Sequence, residues 1–360
     1  MIQDVFIIGA TGKVGRTLVS QINGKGDADQ DAHANPTRIV GLASSKEFAF
    51  SQNGLPLAGG RIPNPTEYHG LGELLKAAEC CKSNLVFVDA TALNEPMTEF
   101  HLNVIQNTPY GIVTANKNPI ALSDYPSFQK LTKNPRRYGY RCSVMAGAES
   151  VTFLQDLRDL NDGLHAVEGC FSGTNGYIAT ELEKGRRFSE ILEEAKEKGY
   201  TEPDPRDDLS GLDVARKLIV LARTAGHKAD IENVELSPFI PKEYFLDEDV
   251  ERFMERTREL DLYFMEKMER AKSKEMSLRY VARIDVQDGA KIEVSLKEVP
   301  AKSPLGRLEG TSNKLVVVTD AYPEECPYSV EAPGAGLEVT ARNIRRDLLY
   351  LLPERKSLLK

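Results

Sequence analysis

Asp213 and Lys217 stand four residues apart in the run Leu212-Asp-Val-Ala-Arg-Lys-Leu-Ile-Val-Leu-Ala222, so a helix places them one turn apart on one face. Nearly every other position of that run is apolar, which predicts a buried helix. An acid and an amine are costly to desolvate there unless they pair with each other, with nearby groups or with a ligand. Directly upstream, Gly199-Tyr-Thr-Glu-Pro-Asp-Pro-Arg-Asp-Asp208 holds Glu202, Asp204, Asp207 and Asp208 in a proline-braced loop. Carboxylates packed this closely are costly unless something uses them. The plainer alternative is an ordinary helical ion pair behind an acidic N-cap.

A second constellation lies at the N-terminus. Val5-Phe-Ile-Ile-Gly9 reads as a buried strand, Gly9-Ala-Thr-Gly-Lys-Val-Gly15 as a turn, and Leu18, Val19 and Ile22 as one face of the helix that follows. Glycines 9, 12 and 15 stand where a dinucleotide turn needs side chains absent, although the spacing is G-x-x-G-x-x-G rather than G-x-G-x-x-G. Gly9, Thr11, Gly12, Lys13, Val14 and Gly15 are therefore candidate cofactor contacts. The second strand ends in Gly41-Leu-Ala-Ser-Ser-Lys46, with two hydroxyls and an ammonium and no carboxylate to repel a 2′-phosphate. Ser44, Ser45 and Lys46 thus favour NADP, with NAD as the alternative. Thr91 and Thr114-Ala-Asn-Lys117 follow later strands, where open α/β sheets hold ligands, which adds Asn116 and Lys117 to the set.

The elements around these residues alternate strand and helix through the first part of the chain. Strands are expected at Arg38 to Ala43, Asn84 to Asp89 and Gly111 to Thr114, and helices at Leu71 to Lys82 and Pro96 to Gln106. The fold class is α/β: a Rossmann-like doubly wound parallel sheet, followed by a second, α+β domain. That second domain is expected to carry helices at Ser150 to Leu160, Phe188 to Lys198, Ser210 to Ala225 and Asp247 to Lys272. Its strands are expected at Leu278 to Val286, Lys291 to Glu298 and Lys314 to Asp320. The charged run Glu251 to Lys274 reads as a solvated helix face. The expected boundaries are 1–147 for the nucleotide domain, completed by a C-terminal segment 334–360 with a helix from Glu338 to Leu352, and 148–333 for the second domain. With 46 Lys+Arg against 54 Asp+Glu, the chain has no basic footprint for nucleic acid or an anionic membrane. No apolar run is long enough to span a bilayer, and a cytoplasmic protein is expected. Cys80, Cys81, Cys142, Cys170 and Cys326 lack zinc-site spacing and read as reduced thiols, and the five histidines as structural residues.

The Gly199 to Lys217 block resembles the signature of homoserine dehydrogenases. Gly169-Cys-Phe-Ser-Gly-Thr174, Asp89-Ala-Thr91, Thr114-Ala-Asn-Lys117 and Gly334-Ala-Gly-Leu-Glu-Val-Thr340 extend that resemblance over nearly the whole chain. It is closest to the dehydrogenase portion of the bifunctional aspartokinase/homoserine dehydrogenases, and a monofunctional, unregulated form is expected. The resemblance implies NADP-linked interconversion of L-homoserine and L-aspartate 4-semialdehyde by a homodimer. It implies Lys217 as general acid/base, Asp213 as its substrate-holding partner, Lys117 near nicotinamide and carbonyl, and Glu202 and Asp208 around the substrate amine. Gly173, Thr174 and Tyr200 line the substrate, and Gly199 and Gly336 the cofactor. Cys142 stands where the resemblance leads one to expect an acid of a monovalent-cation site, so no metal is assigned, although Glu149 or the main-chain oxygens of Met145 and Gly147 could still hold such an ion. Two rival readings are an aspartate-semialdehyde dehydrogenase-like enzyme, which needs a cysteine nucleophile with a histidine partner, and a non-catalytic NADP-binding sensor.

Overall fold

The computed structural model describes residues 2–29, 31, 36–56, 61–81, 84–286 and 291–351, without the side chain of residue 350. Lys82, Leu352 and the rest of the expected C-terminal segment lie outside the described residues. The chain divides into two compact units, Met1–Val151 with Ala335–Lys360, and Thr152–Gly334.

The first unit is built on a seven-stranded sheet. Its elements are β1 (Gln3–Ile8), α1 (Lys13–Gly24), β2 (Thr37–Ala43), β3 (Glu47–Phe50), β4 (Thr66–Glu67), α2 (Leu71–Ala77), β5 (Leu85–Asp89), α3 (Glu95–Asn107), β6 (Gly111–Thr114), α4 (Asn118–Ala121), α5 (Tyr125–Thr132) and β7 (Tyr138–Gly139). In the order β4-β3-β2-β1-β5-β6-β7, the strands from β2 to β7 run parallel. The central strands β1, β5 and β6 are buried along their whole length, which is why their middles, Val5-Phe-Ile-Ile8, Leu85-Val-Phe-Val88 and Ile112-Val113, read as apolar runs. The antiparallel strands β3 and β4, not expected from sequence, extend the edge beyond β2. Phe48 and Phe50 of β3 stack on Phe6 at 6.5 and 6.2 Å, so an aromatic cluster rather than a β-branched pattern holds that edge.

The helix Leu337–Tyr350 belongs to this unit, its Ala341, Ile344 and Leu348 sharing a core with Val5, Ile7, Leu18 and Ile22. Its polar residues grip the segment after β7. Asp347 accepts the Arg141 N–H at 3.0 Å, Asn343 Nδ2 donates to the Ala146 carbonyl at 2.8 Å, and Arg346 donates to the Gly147 carbonyl at 2.6 Å. Met145 and Ala146 carry left-handed φ of 51° and 49° there, a conformation that costs a non-glycine residue about 1–3 kcal/mol and persists where surrounding bonds hold it. Burial lifts the Asp347 carboxyl to about 6, against the opposing pull of Arg141.

The second unit contains most of α6 (Ser150–Leu160), β8 (Leu164–Cys170), α7 (Gly173–Glu183), α8 (Phe188–Glu197), α9 (Pro205–Leu209), α10 (Leu212–Thr224), β9 (Val234–Leu236), α11 (Val250–Arg256), α12 (Leu260–Ser273), β10 (Met276–Asp285), β11 (Lys291–Pro300), β12 (Ser312–Thr319) and β13 (Tyr328–Pro333). Its mixed sheet has the order β13-β12-β8-β10-β11-β9. Phe188, Phe239, Phe264 and Tyr280 pack helices α8 and α12 against β10, with Phe188 and Phe264 stacked at 4.6 Å. Several expectations change here. The single helix from Asp247 to Lys272 is two helices, broken by a 3-10 turn at Thr257–Glu259, where the buried Thr257 hydroxyl donates to the Met254 carbonyl at 2.6 Å. A continuous charged sequence hid that break, and Phe253, Leu260, Phe264 and Ala271 are buried within what reads as a solvated run. The helix expected from Ser210 starts at Leu212, because Gly211 has φ +77° and a Cβ there would stand 1.9 Å from the Tyr280 hydroxyl.

Candidate active site

In the first unit the glycine turn is a backbone cradle. Gly9 has φ +83°, and a Cβ on it would lie 2.9 Å from the Ala90 carbonyl oxygen; one on Gly15 would lie 2.2 Å from the Gly9 oxygen. Gly12 caps α1 in an extended conformation, no side chain caps that helix, and its first turn holds no acid. The first amides of α1 therefore stay available to an anion. Thr11, Gly12 and Lys13 are exposed, whereas Val14 packs toward the core and can offer only its backbone.

The turn after β2 differs from its sequence reading. The Ser44 hydroxyl shapes the turn itself, accepting the Lys46 and Glu47 N–H groups at 3.2 and 3.1 Å, while the Tyr68 hydroxyl donates to the Ser44 carbonyl at 2.7 Å. Ser45 and Lys46 are the exposed members. A carboxylate follows at once, for Glu47 pairs across the strands with Glu67.

At the ends of β5 and β6, Thr91 donates both its N–H and its hydroxyl to Asp89 Oδ1, at 2.9 and 2.7 Å. Asn116 donates to the Leu93 carbonyl at 2.7 Å and accepts the Asn118 N–H at 3.0 Å, so its amide is spent on fixing the two turns. Lys117 caps α4, its carbonyl accepting the Ala121 N–H at 2.8 Å. Gly336 is exposed immediately before the C-terminal helix.

In the second unit the acids and the amine converge. Lys217 Nζ donates to the Phe171 carbonyl at 2.7 Å and pairs with Asp213 Oδ2 at 2.8 Å. An ammonium has three donors, and these two bonds set the direction of the third. The Lys217 side chain is 14% exposed but Asp213 is 45% exposed, so the acid expected on a buried helix faces outward from its rim. Asp208 sits at the hub of the preceding turn. Its Oδ2 accepts the Glu202 N–H at 2.8 Å, and its Oδ1 lies 2.9 Å from the Thr174 hydroxyl, itself 2.6 Å from the Tyr200 carbonyl. Burial raises the Asp208 carboxyl above its ordinary range, and the charges of Glu202 and Asp213 push it the same way against the Glu202 and Thr174 hydrogen bonds. Asp208 thus bears the repulsion of two neighbouring carboxylates, which a cation bound beside it would relieve.

The other loop residues separate by role. Asp204 caps α9 and is held by Arg206 at 2.7 Å, which removes it from the cluster, and Asp207 is exposed. Gly173 opens α7 beneath Thr174, with the Thr311 carbonyl 3.1 Å from where a Cβ would be. Gly199 ends the α8 turn, and Tyr200, 42% exposed, meets the Tyr177 ring edge-on at 5.1 Å. Sequence reasoning did not find the Phe171 carbonyl as the partner of Lys217, since a backbone acceptor leaves no side-chain signal. Nor did it assign β8 and α7, although these two elements present Phe171 and Thr174. Cys142 is buried with its thiol 3.6 Å from the Thr340 carbonyl and its pKa raised by burial; Glu149 and the Gly147 carbonyl both engage Arg346.

The fold and these clusters define a two-unit α/β protein with a dinucleotide-type turn on one unit and an acid–amine cluster on the other. The family model described as homoserine dehydrogenase matches residues 151–349, and the chain belongs to that family. Among curated relatives, it is 34% identical over 355 residues to bifunctional aspartokinase/homoserine dehydrogenase 1 of Arabidopsis thaliana, covering 96% of this chain and 38% of that protein. It is 33% identical to the bifunctional protein of Buchnera aphidicola, covering 97% of this chain and 42% of the other. The chain thus spans about two fifths of the length of these relatives. Among solved structures, a homoserine dehydrogenase assignment from Archaeoglobus fulgidus superposes with a TM-score of 0.76 at 25% identity, covering 97% of this chain and 98% of that one. A Candida auris protein of unknown function superposes at 0.87 with 28% identity, covering 97% and 98%. A hyperthermophilic archaeal homoserine dehydrogenase in complex with NADPH shares the fold at 0.68 and 20% identity, covering 96% of each chain. No helix among the described residues is long and apolar enough to cross a membrane.

Proposed function

We propose that this chain interconverts L-homoserine and L-aspartate 4-semialdehyde with NADP as hydride carrier, as a cytoplasmic homodimer associating through its second unit. The observation that carries the reading is the cluster of Asp208, Glu202, Asp213 and Lys217. Homoserine brings an ammonium, which the carboxylates neutralise, and a primary alcohol, whose proton has to move as hydride leaves. Thr174, Gly173 and Tyr200 shape the wall beside the acids. Lys217, aimed by Phe171 and Asp213, turns its third N–H to the reacting oxygen. In the reducing direction it polarises the carbonyl and gives a proton to the developing alkoxide; in the oxidising direction the neutral amine takes that proton back.

The first unit holds the cofactor: Gly9, Thr11, Gly12, Lys13, Val14 and Gly15 at the pyrophosphate, Ser45 and Lys46 at the 2′-phosphate on a turn shaped by Ser44, and Thr91, Asn116 and Lys117 toward the nicotinamide. Gly336 of the same unit contributes a backbone contact. The bound nicotinamide supplies or accepts the hydride. Support for NADP comes from the exposed Ser45 and Lys46 and from the NADPH-bound neighbour of the same fold. The rival needing a cysteine nucleophile fits less well: burial lifts the Cys170 thiol to about 12 and the Cys81 thiol to about 11, far from a reactive thiolate.

Asp208 gives this reading a pH signature. A carboxyl whose folded pKa is raised penalises the ionised form, so the folded protein loses stability as pH rises through that range, and an ammonium bound there restores it. Calorimetric titration of L-homoserine from pH about 4 to about 7 is expected to show affinity increasing as Asp208 ionises above its ordinary value of about 3.9. A flat profile would place the substrate amine elsewhere. The reaction itself is tested by following NADP reduction as L-homoserine is added, with NAD run in parallel.

A further inference from the structure

Beneath the turns that carry Thr91, Asn116 and Lys117 lies a polar chain sealed from solvent. His101 of α3 is 0% exposed, and Asp89 and Tyr138 are each 1% exposed. His101 Nδ1 lies 2.8 Å from the Tyr138 hydroxyl, and its Nε2 faces Asp89 Oδ2 at 3.4 Å. Thr114 Oγ1 reaches the same Asp89 oxygen at 3.4 Å, while Asp89 Oδ1 takes both donors of Thr91. The Thr91 oxygen then accepts the Leu93 N–H at 3.2 Å and faces Asn116 Nδ2 at 3.4 Å. Asn116 is the residue before Lys117, and the Thr114 hydroxyl accepts its N–H at 2.9 Å.

A carboxylate buried this deeply needs compensating donors, and the imidazole lies opposite the oxygen that Thr91 does not use. Burial and the Asp89 charge hold the Tyr138 phenol well above its ordinary pKa, so it keeps its proton and can donate to Nδ1. That bond leaves Nε2 as the ring nitrogen facing Asp89, 3.4 Å from Oδ2 without a formed hydrogen bond, so the pair is coupled by charge and proximity. The chain ends at the two turns where the strands β5 and β6 stop.

We propose that His101 is a positioning residue for cofactor binding: with Tyr138 it orients Asp89, which sets the Thr91 and Asn116–Lys117 turns against the nicotinamide half of the dinucleotide. This rests on the NADP reading above. The two are separated by measuring NADPH binding to the wild type first, by calorimetry, then to variants with KM and kcat for L-homoserine. Absence of NADPH binding by the folded wild type overturns the cofactor reading itself. Given binding, His101→Phe is expected to weaken NADPH about tenfold while KM for L-homoserine stays within about twofold. His101→Gln, whose amide can donate to Asp89 and accept from Tyr138, is expected to recover most of the loss. Tyr138→Phe, which keeps the ring volume, covers the case in which His101→Phe does not fold, and is expected to weaken NADPH about threefold. Wild-type affinity in His101→Phe, or in Tyr138→Phe should the former not fold, overturns the proposal, as does a His101→Gln as impaired as His101→Phe.

Discussion

Lys217→Ala is expected to lower kcat for homoserine oxidation about a thousandfold, within the roughly 10²–10⁴ that a positioned acid/base contributes, with NADPH affinity unchanged. Lys217 is the amine that the second unit holds by two defined bonds, to Phe171 and Asp213, on a helix whose other positions from Val214 to Thr224 are mostly buried. Removing it also leaves the Phe171 carbonyl without its donor, so stability is expected to fall by about 1–3 kcal/mol. Steady-state kinetics with a thermal melt separates these effects, since a loss of fold lowers both the active fraction and the melting temperature, whereas a loss of chemistry lowers kcat in a folded protein. A variant that is folded and turns over like the wild type would remove Lys217 from the reaction.

The second large effect is expected at Gly15. A Cβ there would enter the Gly9 carbonyl oxygen at 2.2 Å and the Ala10 Cα at 2.7 Å, contacts made by backbone that cannot swing aside. Gly15→Ala therefore pushes α1 away from the end of β1 and spoils the alignment of the first-turn amides with a pyrophosphate. Overpacking of this kind costs about 1–3 kcal/mol, and NADPH affinity is expected to drop at least about a hundredfold, while L-homoserine still binds the second unit. Calorimetry with each ligand checks the split. Equal loss of both ligands would mean that the substitution unfolds the chain rather than the cradle.

What could be read in the sequence was what local pattern controls. The parallel strands β1, β2, β5 and β6 announce themselves as apolar runs because they are buried, and the strand–glycine–helix turn because only glycine tolerates its contacts. Asp213 and Lys217 could be paired from their spacing alone. What stayed hidden depends on tertiary partners. The edge strands β3 and β4 exist because Phe48 and Phe50 find Phe6 from another strand. The helix break at Thr257 rests on a buried hydroxyl inside a charged run, and Asp204 was separable from Asp208 only once Arg206 was seen to hold it. His101 shows the same limit: an imidazole between apolar neighbours of α3 gives no hint that Asp89 and Tyr138 lie on either side of it.

The most direct test of the account is the homoserine dependence of NADP reduction by the chain as it stands. Saturable reduction that requires L-homoserine, yields the aldehyde and is lost in a folded Lys217→Ala variant is the predicted result. A folded protein that binds NADPH yet shows no homoserine-dependent reduction would contradict it.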